Sequence, residues 1–271
     1  MPEVAAHGYV TYYELDDFTP EWSPGEPLVI QHGLGRSGRF WSSWVPLLAG
    51  EYRVLRRDLR GHGRSADPGP DYRWSLEDLM LDLEGFLDGL ELDRVHLLGE
   101  STGGMLAVAF AVRRPERLRS LTLCATPRTI GPAAQRFFAF GHDDWQTALR
   151  TLGSEGWARE LAAQAGTVPH SDAERREWAV REMGRTPVHV LEDYSRVVSE
   201  LDITPLLPQV AVPTLILAPT HSAATPLSEQ VEMRDAVPGA RFAAIESPSH
   251  EIYLDRPVQC TDALKEFLAA V

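Results

Sequence analysis

Residues able to do chemistry together cluster at a few points of the 271-residue chain, and Gly99-Glu100-Ser101-Thr102-Gly103 is the sharpest of them. An apolar run, Val95 to Leu98, enters this Gly-x-Ser-x-Gly turn, and an apolar, Ala-rich segment from Met105 to Val112 leaves it. That order predicts strand, tight turn, helix. Gly99 and Gly103 remove the side chains that would collide across such a corner. A serine placed there holds its hydroxyl clear of the backbone, while the helix start behind it offers unpaired N–H groups to a developing negative charge. The competing reading is a glycine-rich turn whose serine merely caps a helix. Five residues do not decide between the two; their context does.

Stepping outward, strands are predicted at Leu28–Gln31, Tyr52–Leu59, 94–98, Leu118–Ala125, Thr214–Ala218 and Arg241–Ile245. Helices alternate with them, among them Leu76–Leu90, whose apolar residues share one face. Tyr9–Phe18 alternates aromatic or β-branched with polar residues and reads as an antiparallel edge strand. The fold class is α/β, a mostly parallel sheet with helices on both faces. From Ile130 to Leu201 the pattern is helical, broken near Gly141-His142-Asp143, Gly153-Ser154, Thr167-Val168-Pro169 and Thr186-Pro187. Residues 1–126 and 203–271 are thus expected to form the core, and 127–202 an inserted helical cap.

Ligands of open parallel sheets sit beyond the carboxyl ends of the strands. His32-Gly33-Leu34-Gly35, Asp58 to Ser65, Ser101, and the segments around His221 and His250 all fall at such ends. Their coincidence favours a catalytic serine over a helix cap.

On these pieces the chain resembles the α/β-hydrolase-fold enzymes, and it is similar over most of its length to the 3-oxoadipate enol-lactonases and related esterases. The matching segments are His32-Gly33-Leu34-Gly35, Asp58-Leu59-Arg60-Gly61-His62-Gly63-Arg64-Ser65, the serine elbow, Leu123-Cys124-Ala125-Thr126, Thr220-His221 with Ala223-Ala224-Thr225-Pro226, and Ser249-His250. The resemblance implies Ser101 as nucleophile, His250 as its base, and the backbone N–H groups of Leu34 and Thr102 as the oxyanion hole. A serine hydroxyl needs such a base within reach. His32 is expected to shape its loop, and Asp58 to Ser65 to tie loops together.

One departure stands out. The family places an acid, which orients the histidine, in a Thr-His-Asp-x-Ala-Ala-Thr-Pro stretch; here Ser222 replaces it and the loop is one residue shorter. No Asp or Glu occurs from Ile203 to Ser228, nor from Arg117 to His142, where the fold offers a second acid position. Either Glu246, Glu251, Asp143 or Asp144 reaches His250, or Ser101 and His250 form a dyad with Ser222, a carbonyl or water fixing the ring, or the site binds without turnover. Loss of the orienting acid can cost ~10⁴ in rate, and substrates with good leaving groups suffer least. The expectation is a dyad acting on an activated ester or lactone, and Ser222→Asp should raise activity or leave it intact.

The cap carries Phe137, Phe138, Phe140, Trp145, Trp157, Trp178 and Tyr194, most of them expected to pack the cap itself. Gly33, Phe137 and Trp145 are named as pocket residues, and Arg128, with Arg136, as a partner for a substrate carboxylate. A net charge of −13 argues against nucleic acid and anionic membrane as partners. Two cysteines, no signal-like start and no long apolar run point to a soluble, cytoplasmic protein. His7, His62, His142, His170 and His189 lack ligand spacing, so neither metal nor cofactor is expected. The reading is a cofactor-free serine hydrolase of a small-molecule ester or lactone, with self-association left open. The alternatives are a carbon–carbon hydrolase or acyltransferase on the same machinery, or a ligand-binding member with weakened catalysis.

Overall fold

In the computed structural model the alternation of strands and helices becomes one eight-stranded sheet in the order β1-β2-β4-β3-β5-β6-β7-β8. The structure describes residues 2–6, 8–168 and 172–271. His7, His170 and the expected break at Pro169 lie outside them. The strands are β1 (Glu3–Ala6), β2 (Tyr9–Asp16), β3 (Glu26–Gln31), β4 (Tyr52–Arg57), β5 (Val95–Glu100), β6 (Leu118–Cys124), β7 (Thr214–Pro219) and β8 (Arg241–Ile245). The β1–β2 and β2–β4 pairs are antiparallel, and every later pairing is parallel. Central strands β5 and β7 are buried along their whole length, which is why they read as continuous apolar runs.

Helices α1 (Val45–Leu48), α2 (Leu76–Gly89) and α3 (Thr102–Arg113) alternate with the first strands. Ser75 starts α2 through a capping box: its hydroxyl accepts from the Asp78 amide at 3.2 Å, and the Asp78 carboxylate accepts from the Ser75 amide at 2.8 Å. Leu79, Leu83, Phe86 and Leu87 are the buried face of this helix. Between β6 and β7 come four helices, α4 (Pro132–Ala139), α5 (Trp145–Ala163), α6 (Ala173–Gly184) and α7 (Val188–Glu200), with α5 packed on the other three. The chain closes with α8 (Leu227–Ala236), α9 (Ile252–Asp255) and α10 (Pro257–Leu268). Among the described residues, no helix is long and apolar enough to cross a membrane.

One expectation is corrected. The Tyr9 strand is antiparallel but not at the edge, because β1 pairs outside it with Val4 opposite Thr11. Four residues, with Glu3 leading, carry too short a pattern to be read as a strand.

Candidate active site

Strand β5 runs straight into α3, and the turn between them is strained. Ser101 has φ 50° and ψ −124°, a region non-glycine residues rarely adopt and one that costs of order 1–3 kcal/mol. Two close approaches hold it there. A Cβ on Gly103 would stand 2.3 Å from the His32 carbonyl oxygen, and one on Gly99 would stand 2.6 Å from the Gly104 Cα. The Ser101 amide is anchored on the Cys124 carbonyl at 2.9 Å. Its hydroxyl caps nothing, so the capping alternative falls away. The side chain is left facing a narrow cavity whose wall also includes Glu100, Thr102 and His250.

His250 follows β8, and its amide donates to the carbonyls of Gly166 and Thr167 at 3.1 and 2.9 Å. The segment after α5 therefore sets the backbone position of this imidazole. Among the described residues no hydrogen bond joins the Ser101 hydroxyl to His250; the two groups share the cavity. Such bonds are often open without substrate and close in the reacting complex.

Ser222 is the group at the far ring nitrogen, 3.0 Å from His250 Nδ1, with Thr225 Oγ1 at 3.3 Å. The other carboxylates considered do not reach that nitrogen. Glu251 pairs with Arg36, Glu246 accepts from Thr220, and Asp144 caps α5 through the Thr147 amide. The Ser222 oxygen already accepts the amide hydrogens of Ala224 (3.1 Å) and Thr225 (3.0 Å). A hydroxyl oxygen accepts two hydrogen bonds and donates one, so its own hydrogen goes either to Nδ1 or to Thr225 Oγ1, 3.0 Å away. In the first case the neutral ring carries its proton on Nε2; in the second Nδ1 can hold it, with Thr225 Oγ1 at 3.3 Å as acceptor.

The charged groups behind the cavity were not legible as a site. Glu100, inside the elbow itself, accepts from the Gly33 amide at 2.7 Å, and its other oxygen lies 3.9 Å from His250 Nε2. Burial lifts its pKa to about 7, against the pull of Arg36 and the Gly33 amide, with Glu251 adding to the rise. Burial, aided by the Arg36 charge, holds His250 down to about 3, so the imidazole is neutral. Arg36 and Glu251 form a buried ion pair. Removing one partner of such a pair strands the other charge, and Glu251→Ala is expected to destabilise the fold by about 3–5 kcal/mol. Denaturant unfolding would measure this, and a loss under 1 kcal/mol would show the pair to be well hydrated.

Of the pocket residues read from the sequence, Trp145 lines the cavity, beside Phe138 and Trp157. Phe137 does not; it turns to Phe138 and Phe140, with centroids at 5.3 and 6.3 Å. Arg128 is engaged elsewhere, its amide on Glu229 and its guanidinium on Glu232 at 2.7 Å. Neither it nor Arg136 lines the cavity. Gly33 acts through its amide on Glu100 rather than as cavity wall. Leu34 does line the cavity, but its amide donates to Thr102 Oγ1 at 3.0 Å instead of standing free. His32 shapes its loop, its Nδ1 on the Gly33 carbonyl and its Nε2 on the Leu59 amide. Asp58 ties the amides of Gly38 and Arg64.

Known proteins share this arrangement of chain. A protein of Pseudomonas syringae pv. syringae provisionally named carbamate hydrolase RutD is 27% identical over 254 residues, 89% of this chain and 93% of its own. The 3-oxoadipate enol-lactonase 1 of Acinetobacter baylyi is 24% identical across 93% of this chain and 91% of its own. The crystal structure of the enol-lactonase from Burkholderia xenovorans LB400 superimposes with a TM-score of 0.87 at 27% identity, covering 99% of this chain and 100% of that one. Residues 26–257 match the family described as the alpha/beta hydrolase fold. With the parallel sheet, the strained serine elbow and this match in agreement, the chain belongs to the α/β-hydrolase family and is a hydrolase of that fold.

Proposed function

We propose that this hydrolase cleaves a carboxylic ester or lactone with an activated, enol- or phenol-type leaving group, through an acyl-enzyme on Ser101. The observation that carries the reading is the strained Ser101, its hydroxyl without a hydrogen bond among the described residues, in a cavity that His250 also lines. Ser101 Oγ bonds to the substrate carbonyl carbon, its proton passes to His250 Nε2, and the carbonyl oxygen becomes an oxyanion facing the start of α3. Collapse breaks the bond to the leaving group, which takes the proton back. Water then repeats the sequence on the acyl-enzyme. Leu34, Phe138, Trp145 and Trp157 make the wall apolar, which suits an aliphatic or aromatic acyl group.

The same geometry supports the preference for a good leaving group. For Nε2 to accept a proton, the ring must carry its hydrogen on Nδ1, and Ser222 must point its own hydrogen at Thr225 Oγ1, 3.0 Å away. With only hydroxyls and no carboxylate at Nδ1 the base is weak, and an activated ester asks least of it. Kinship with proteins named enol-lactonase supports the same substrate class.

The test is stopped-flow hydrolysis of p-nitrophenyl acetate: the reading expects steady turnover and an initial burst of p-nitrophenolate. Retention of the ester without turnover would favour the ligand-binding alternative. The pH profile should carry the mark of two unusual groups. Ionised Glu100 favours an imidazolium 3.9 Å away, so kcat/KM should rise through a limb near pH 7. Below it a lower plateau should persist to about pH 4, since His250 stays neutral until about 3. A simple limb at the ordinary histidine value, reaching zero activity by pH 5, would contradict this.

A further inference from the structure

Thr102 is the first residue of α3, and the proposed hydrolysis uses its backbone N–H. Its side chain has a hydrogen-bond pattern that this use leaves unexplained. The hydroxyl oxygen accepts the Leu34 amide hydrogen at 3.0 Å and the Tyr194 phenol hydrogen at 3.2 Å. An amide can only donate. The phenol is fixed as donor for a different reason: Tyr194 is fully buried, and among the described residues Thr102 is the only side chain its hydroxyl bonds. Turning the phenol hydrogen elsewhere would leave a buried donor unpaired, which is costly in a dry interior. Burial also raises the Tyr194 pKa, so the phenol keeps its proton.

Both acceptor positions of the Thr102 hydroxyl are therefore taken, and its own hydrogen must leave in a third direction. Among the described residues no acceptor is bonded to it, and the residue lines the cavity beside Ser101 and His250. What would accept it is whatever enters that cavity.

We propose that the Thr102 side-chain hydroxyl is a donor of the oxyanion hole, working beside the Thr102 amide and standing in for the Leu34 amide, which acts through it. The geometry that assigns it is the pair of fixed donors on Thr102 Oγ1. Leu34 N–H polarises the hydroxyl, and the hydroxyl passes that polarity to the oxyanion. Tyr194 is a positioning residue. It stands on α7, held edge-on by His62 and Trp74 at centroid distances of 5.4 and 6.2 Å. Through this contact a cap helix sets the direction of a catalytic hydrogen on the core. The inference rests on the serine-hydrolase reading above.

The experiment compares wild type with Thr102→Val, Thr102→Ser and Tyr194→Phe, on p-nitrophenyl acetate and with phenylboronic acid as inhibitor. The boronic acid adds to the serine oxygen as a tetrahedral anion that needs the same donors. Thr102→Val keeps the shape and loses the hydrogen, so kcat should fall by about 10²-fold, the usual effect of one lost oxyanion donor, with KM little changed. Phenylboronic acid should weaken by a similar factor. Thr102→Ser should recover most of that loss. Tyr194→Phe frees one acceptor position, so kcat should fall several-fold at constant KM. Full kcat and boronate affinity in Thr102→Val, with turnover still abolished by Ser101→Ala, would overturn the inference and leave the hydrolase reading standing. No Ser101-dependent turnover in wild type would defeat the reading itself. Should Thr102→Val fail to fold, Tyr194→Phe with unchanged kcat and boronate affinity overturns the inference.

Discussion

Ser101→Ala is expected to lower p-nitrophenyl acetate turnover by about 10³-fold or more while the fold survives. The alanine removes only the oxygen that attacks, which caps no helix and bonds no other group among the described residues. The strain at φ 50° is borne by the backbone and its glycine neighbours, so thermal stability should change little. What remains is the slow reaction that the oxyanion donors and the cavity can promote without a nucleophile. A variant that keeps a tenth of the wild-type rate would mean that water, not Ser101, attacks the carbonyl.

A gain is expected from Ser222→Asp, whose kcat/KM should rise at least 10-fold on the same ester. Three polar groups surround the Ser222 oxygen: the amides of Ala224 and Thr225, which donate to it, and the Thr225 hydroxyl, each at 3.0 or 3.1 Å. This is a cradle suited to a carboxylate, and a carboxylate offers more acceptor positions than a hydroxyl. The spare position would take a hydrogen from His250 Nδ1, fixing the ring tautomer and leaving Nε2 bare toward the cavity. A nearby negative charge also raises the imidazole pKa from about 3, making it a stronger base. An orienting acid of this kind is worth up to ~10⁴ in rate when it fixes the tautomer. The longer side chain must fit a loop built for serine, and the smaller figure allows for that. Nitrogen-15 spectra of His250 would read the tautomer directly: Nδ1 should be fully protonated in the variant. Lower activity in a folded Ser222→Asp would mean that the serine itself is needed.

The elbow could be read from the sequence because its causes are local. A strand, two glycines and a helix follow one another within a dozen residues, and the strain at Ser101 is settled inside that span. The helices between Pro132 and Glu200 were legible for the same reason, from spacing and breakers. What the sequence hid depends on contacts between distant segments. Arg128 looked free because its partners, Glu229 and Glu232, lie on α8. Phe137 and Phe138 are neighbours on one helix, and only the packing of α4 on α5 decides that Phe138 faces the cavity. The Leu34 amide looked available until Thr102 and Tyr194 came from two other elements to occupy it indirectly. Glu100 did carry a local sign: it is the one charged residue in a strand otherwise fit for full burial. A carboxylate there has to find partners, and Gly33, Arg36 and His250 are the ones it finds.

The covalent step is open to one direct observation. Wild-type protein mixed with p-nitrophenyl acetate and quenched in acid within the burst should gain the mass of one acetyl group. Peptide mapping should place that group on Ser101. An acetyl group found on another residue, or steady turnover with no acylated protein at any time, would contradict the account.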